Sequence, residues 1–350
     1  MKNNNRLLYV LIIILLLWNL MITVFLVKKN TNDNNSSQNI IETNVTSFTT
    51  DLTKAVETNK SSIVVVSNGI SSSTGVIYKS NGEKTYIVTT YHGVSSDQAI
   101  NVTFASGATF EATLVGKDIY SDIAVIEVNT NVDTIGIKFG DSNLIKDGEI
   151  VVCIGTPNST TYANSNEIGI ISKSLISLPN SINYENETIE YVTNLIQLSS
   201  SIAHGYSGAP VLNMAGEMIG IVSMKNDTAV FALPVNEIKI IVENIINNVE
   251  YNKIQLGIKG LFVEKLETYE KNQLNIPLDV NSGYYVSNVK LASLANTLEI
   301  KEGDVIVSIN EITINNYNDL LNVEYLNTDS LSIVVVRNNE TLTLTGTIND

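Results

Sequence analysis

Between residues 61 and 233 the chain is a succession of short apolar runs separated by turn residues, and this pattern limits its fold more than any other feature. The runs are 63–66, 74–78, 86–89, 100–104, 124–128, 150–154, 168–172, 191–198, 211–212, 218–222 and 229–233. Many short strands broken by polar turns predict a mostly β unit, an antiparallel barrel or sandwich. Asn81-Gly82, between the second and third runs, is a tight hairpin signal. Residues 235–249 (VNEIKIIVENIINNV) have helical spacing and close the unit. A second module follows from Tyr251 to Asp350. Strands near 256–258, 284–289, 305–309 and 331–336 surround helical patterns at 293–298 and 317–325, which predicts a small α+β domain.

Ahead of these modules, residues 7–27 (LLYVLIIILLLWNLMITVFLV) are apolar at all but Asn19 and Thr23. As a helix they span about 31 Å, the thickness of a bilayer core. No small-residue cleavage site follows, so the reading is an uncleaved single-pass anchor rather than a signal peptide. Lys2, Arg6 and the amino terminus precede it, and Lys28 and Lys29 follow. The expected orientation is N-terminus inside, with the rest of the chain on the extracytoplasmic side of the cell membrane. Residues 30–48 have the polar composition of a tether. A short helix is expected to start at Thr50-Asp51, with Leu52, Ala55 and Val56 facing inward. The predicted partition is 1–29 anchor, 30–48 linker, 49–250 β domain and 251–350 α+β domain.

Composition removes several functions. A formal charge of −15 repels phosphate backbones, so no nucleic-acid partner is expected. One cysteine, Cys153, excludes an internal disulfide framework and a thiolate zinc cluster. Two histidines, His92 and His204, leave almost nothing for a multi-histidine metal site. Any histidine chemistry must use one of these two.

His204-Gly205-Tyr206-Ser207-Gly208-Ala209-Pro210 places a serine between glycines after a β run. Such a turn projects Oγ and aims neighbouring N–H groups at a developing oxyanion. By itself the signal is weak. His92 lies just beyond the strand 86–89, and Asp122 immediately before the strand 124–128. The order His92, Asp122, Ser207 is that of chymotrypsin-like barrels. An α/β-hydrolase would need a histidine after the serine, and none follows Ser207. A subtilisin order would need its aspartate first, within a parallel α/β pattern. His204 is read as a loop residue and Cys153 as a buried small hydrophobe.

With those residues in place, the chain resembles the HtrA (Deg) family of trypsin-fold serine proteases, in its membrane-anchored form with one C-terminal PDZ domain. The motifs are Ser73-Thr74-Gly75-Val76-Ile77, Ile87-Val88-Thr89-Thr90-Tyr91-His92, Asp118-Ile119-Tyr120-Ser121-Asp122, Gly140-Asp141-Ser142, Val151-Val152-Cys153-Ile154-Gly155-Thr156-Pro157 and Gly205-Tyr206-Ser207-Gly208. Phe231-Ala232-Leu233-Pro234 completes the series. The implied fold is a double β-barrel followed by a PDZ domain.

The resemblance also implies roles. Ser207 is the nucleophile, His92 the general base, Asp122 its orienter, and the N–H groups of Gly205 and Ser207 form the oxyanion hole. Ile221, Val222 and Ser223 would line the substrate pocket, favouring a small or medium aliphatic residue over Lys or Arg. Leu256, Gly257 and Ile258 match the loop that receives a peptide carboxylate in a PDZ domain. Unfolded or misfolded proteins are the implied substrates and a homotrimer the implied assembly, with neither metal nor organic cofactor. Departures from the family pattern are Tyr206 in place of Asn, Ala209 in place of Gly, Ser199 in place of Asp, and Gly93 in place of a β-branched residue. Two other functions fit the same sequence. One is an inactive protease serving as a peptide-binding scaffold or chaperone; the other is a narrow-specificity signalling protease.

Overall fold

The computed structural model describes residues 4–33, 51–69, 71–96, 98–130, 132, 134–156, 163–184, 187–200, 202, 204–225, 229–251 and 253–348. It divides into Met1–Thr50 and Asp51–Asp350. In the first unit, helix α1 (Asn4–Asp33) carries the apolar run; its stretch Tyr9–Leu26 has a mean hydropathy of 2.6 and exposed side chains. It is long and apolar enough to cross a membrane. Residues 30–33 of the predicted 30–48 linker continue α1; the rest of that linker and the Thr50 cap lie outside the described residues.

The second unit opens with α2 (Asp51–Asn59), whose Ala55 is buried and whose Leu52 and Val56 pack on the core. Strands β1 (Ile63–Ser67), β2 (Ser72–Ser80), β3 (Lys84–Thr90), β4 (Ile100–Thr103), β5 (Thr109–Asp118) and β6 (Ile123–Asn129) close a first barrel in the order β1-β2-β3-β6-β5-β4. A second barrel runs β10-β11-β12-β9-β8-β7. It is built from β7 (Ile150–Gly155), β8 (Ser165–Tyr184), β9 (Glu187–Ser199), β10 (Pro210–Leu212), β11 (Met218–Lys225) and β12 (Val230–Pro234). The expected double β-barrel of the trypsin-like fold is present.

Alternation explains why the strands read as unbroken apolar runs. Side chains of period two point to opposite faces, and here both faces are buried. Ile87, Ala124 and Ile126 fill the first barrel, whereas Val88, Ile123 and Val125 face a cluster between the barrels. In β7, Val151 and Cys153 turn into the second barrel, and Val152 and Ile154 turn to the shared cluster. Each large side chain so buried contributes roughly 1.5–3 kcal/mol. Helix α3 (Val235–Ile246) adds Val235, Ile238, Ile241, Val242 and Ile245 to the same cluster.

Three departures from the sequence reading have physical reasons. Strand β5 was not among the expected runs, because its Glu111, Thr113 and Lys117 interrupt it and only Ala112 and Asp118 are buried. Strands β8 and β9 extend far beyond residues 168–172 and 191–198 as a long hairpin, held by a ladder from Ile170↔Ser199 to Tyr184↔Glu187. Helix α3 stops at Ile246, with Asn247 as its C-cap, rather than at residue 249.

The C-terminal module has a sheet of order β13-β14-β15-β17-β18, with β16 pairing β15. These are β13 (Ile258–Phe262), β14 (Tyr284–Val289), β15 (Val305–Ile309), β16 (Ile312–Thr313), β17 (Ser330–Arg337) and β18 (Glu340–Thr347). Helices α4 (Thr268–Gln273), α5 (Leu294–Thr297) and α6 (Tyr317–Glu324) complete it. Its core gathers Leu256, Ile258, Val286, Ile306, Leu321 and Ile333. The first strand starts at Ile258 rather than Leu256. The reason is local: Gly257 takes φ +76°, and the carbonyls of Leu256 and Gly257 accept from Ala295 and Lys290 N–H rather than from a strand.

Candidate active site

The β3–β6 ladder sets the first half of the site. Its register pairs Thr90 with Ile123, so one step further along each strand brings residue 91 beside residue 122. Tyr91 N–H donates to the Asp122 carbonyl at 2.8 Å. His92 N–H donates to Asp122 Oδ1 at 2.9 Å, while its ring Nδ1 lies 2.5 Å from Oδ2. One carboxylate therefore fixes both the backbone and the ring of the histidine. Asp122 sits in the left-handed region at φ +54°, a conformation that a non-glycine residue keeps only where its neighbours enforce it. The hydrogen bond to Asp122 raises the His92 pKa above the usual imidazole value; burial opposes this and the aspartate charge adds to it.

Thr74 of β2 sets the second half. Its N–H donates to the Ser207 carbonyl at 2.9 Å, and its hydroxyl donates to the Gly205 carbonyl at 2.8 Å. The same hydroxyl accepts from Thr156 N–H at 3.0 Å, and the Thr74 carbonyl accepts from Thr89 Oγ1 at 2.7 Å. The serine turn is thereby fastened to the first barrel and to the end of β7. Gly205 and Gly208 have φ of +98° and +82°, and a Cβ on Gly208 would stand 2.0 Å from the Thr74 carbonyl oxygen. Among the described residues, the N–H groups of Gly205 and Ser207 have no acceptor. Tyr206 turns its ring into the second barrel, against Gly155, where a Cβ would come within 2.5 Å of it.

These halves face one cleft of about 440 Å³, lined by His92, Asp122 and Ser207 together with Val222 and Ser223. Ile221 does not line it. Alternation along β11 turns that residue into the cluster between the barrels, and this corrects its expected place in a substrate pocket. The exposed His204 is at the rim.

Sequence reading missed much of the wall. Tyr120 and Tyr191 meet edge to face at 5.5 Å, and Asn180 Nδ2 donates to the Tyr191 hydroxyl at 2.9 Å. Asn180, Ser181 and Ile182, at the end of β8, and Met224 add to it. The only signal for these residues is a strand pattern running longer than the apolar positions of 168–172. Among the described residues no cluster of His, Cys, Asp and Glu could hold a metal ion.

In the C-terminal module, Leu256 and Ile258 are buried, Gly257 sits between them, and β13 is an edge strand.

Residues 73–221 match the model of the trypsin-like peptidase domain. The chain is 31% identical over 285 residues to the serine protease Do-like HtrB of Bacillus subtilis, covering 78% of this chain and 61% of that protein. It is 30% identical over 281 residues to a serine protease HtrA-like of Staphylococcus haemolyticus, covering 78% of this chain and 44% of that one. It thus spans 44% and 61% of the length of these two curated relatives. In structure it is similar to the HtrA-type protease AlgW with tripeptide, at a TM-score of 0.57 and 24% identity, over 84% of this chain and 95% of that one. The barrels, the cleft and these likenesses agree: the chain carries a trypsin-like peptidase domain and is a homologue of the HtrA/Do serine proteases.

Proposed function

We propose that the chain is a membrane-tethered serine endopeptidase whose substrates are unfolded or exposed protein segments outside the cytoplasm. The observation that carries this reading is the His92–Asp122 pair facing the same cleft as Ser207. His92 takes the Ser207 Oγ proton as Oγ attacks the scissile carbonyl, and later gives it to the leaving amine. Asp122 holds the ring tautomer and stabilises the imidazolium. The Gly205 and Ser207 N–H groups receive the oxyanion. Water then releases the acyl group by the same steps in reverse. Val222 and Ser223 carry no acid, which suits a small or medium aliphatic residue before the cut.

The α+β module, residues 251–350, is read as a PDZ domain. A peptide C-terminus would add a strand to the free edge of β13, its carboxylate held by the Leu256-Gly257-Ile258 loop. Helix α1 is the anchor, and the assembly is a homotrimer by resemblance. The test incubates wild type and Ser207→Ala with casein and with a fluorophosphonate probe. Cleavage and labelling by wild type alone are expected; labelling that survives in Ser207→Ala refutes the assignment.

A further inference from the structure

Glu237, the third residue of α3, is fully buried, yet its carboxylate is held ionised by donors from three separate parts of the chain. Ser121 Oγ, from the turn between β5 and β6, donates to Oε1 at 3.0 Å. The Lys253 ammonium, from the segment between the two modules, pairs with the same oxygen. The Tyr317 hydroxyl of α6 donates to Oε2 at 2.7 Å, and the Tyr325 hydroxyl just beyond α6 to Oε1 at 3.0 Å. The Lys253 ammonium also donates to Ser121 Oγ at 3.3 Å and approaches Glu324 at 3.8 Å. Burial alone would push the Glu237 carboxyl up; the Lys253 charge and these hydrogen bonds hold it below the usual range.

The same turn is gripped a second time. Tyr251, also from the segment between the modules, donates its hydroxyl to Asp118 Oδ2 at 2.9 Å, and Asp118 Oδ1 accepts from Ser121 N–H at 2.8 Å. The rings of Tyr251 and Tyr325 lie 5.3 Å apart. So the turn that ends in Asp122 is held by side chains from α3, from the inter-module segment and, through Glu237, from α6. Asp122 is the residue that needs such support, because it is in the left-handed region and its carboxylate sets the His92 ring.

We propose that Glu237 is a positioning residue for the His92–Asp122 pair, carrying the seating of helix α6 through Ser121 to the turn that presents Asp122. This rests on the proteolytic reading of that pair. The chain of contacts is short: α6 hydroxyl, Glu237 carboxylate, Ser121 hydroxyl, then the peptide bond to Asp122. A shift of α6 would therefore act on the base before it acted on substrate binding, and would show in turnover rather than in KM.

The experiment uses the full chain in detergent micelles. The double variant Tyr317→Phe/Tyr325→Phe removes two hydroxyl donors to Glu237 and keeps both rings; in the barrels it loses the Tyr317 hydroxyl's contact with Asn194 of β9. The rate of fluorophosphonate labelling is expected to fall at least 5-fold, with KM for casein within 2-fold of wild type. The acid limb of the labelling profile should move at least 0.5 pH unit lower, as His92 loses part of its aspartate support; a merely structural loss would not move it. Ser121→Ala alone should give a comparable loss, and adding the tyrosine pair to it should cost less than 2-fold more. Near-ultraviolet circular dichroism reports the fold of each variant. If the pair does not fold, Tyr325→Phe alone carries the same comparison.

The proposal is overturned if folded variants keep the wild-type rate within 2-fold, or if the Tyr and Ser121 effects multiply independently. A wild type that neither cleaves casein nor takes the probe instead overturns the proteolytic reading, and this proposal with it.

Discussion

The junction of the barrels and the C-terminal module holds two carboxylates, Glu237 and Glu324, against one ammonium, Lys253, which is 5% exposed. One positive charge cannot satisfy both acids away from water. Burial raises the Glu324 pKa from the usual 4.5 to about 7; Lys253 opposes the rise and the Glu237 charge adds to it. The sign follows from proton binding. Between pH 4.5 and 7 the folded chain keeps a proton on Glu324 that the unfolded chain releases, so this group's stabilisation is complete below pH 4.5 and is lost as pH rises through 7. A displacement of this size is worth about 3 kcal/mol at most, and relaxation of the junction leaves roughly 1–3 kcal/mol. Glu324→Gln cannot ionise and escapes that loss. Its melting temperature should equal that of wild type near pH 4.5, then exceed it by about 3–10 °C at pH 8. Thermal melts of the two proteins from pH 4 to 9, followed by circular dichroism, give the difference curve. A flat difference, or a less stable variant at pH 8, refutes the reasoning, because it would mean that Lys253 stabilises Glu324 as a carboxylate.

Asp122→Asn should lower kcat/KM on casein by about 10³–10⁴, because an amide cannot accept from both the ring and the N–H of His92. The residual activity should show its acid limb at lower pH than wild type, since Asp122 is what raises the His92 pKa; stopped-assay pH profiles check both. Gly208→Ala should cost at least about 2 kcal/mol in a urea melt and abolish labelling, because its Cβ would stand 2.0 Å from the Thr74 carbonyl in a left-handed backbone.

What the sequence made legible was what depends on local pattern. Runs such as 124–128 lie between two cores and are apolar at all but Glu127, so β6 was visible; β5, with its exposed Glu111 and Thr113, was not. His92 and Asp122 could be paired on paper because each ends or begins a strand, and strand register did the rest. Ile221 could not be placed from spacing alone, since a one-residue step along β11 exchanges cleft for core. The departures from the family pattern acquire reasons only in three dimensions. Tyr206 fits because Gly155 leaves room for its ring. Gly93 fits because Ser73 occupies the space beside it: a Cβ there would lie 2.9 Å from Ser73 Oγ. Glu237 looked like an ordinary polar position on a packed helix, and its donors lie 16 to 116 residues away in sequence.

The long β8–β9 hairpin divides the cleft between two owners. Ser207, His92 and Asp122 are anchored by Thr74 and by the barrel ladders, whereas much of the facing wall, Asn180 to Ile182 and Tyr191, belongs to a hairpin that lies against the C-terminal module. Changes along that hairpin would therefore reshape the cleft wall without moving His92, Asp122 or Ser207.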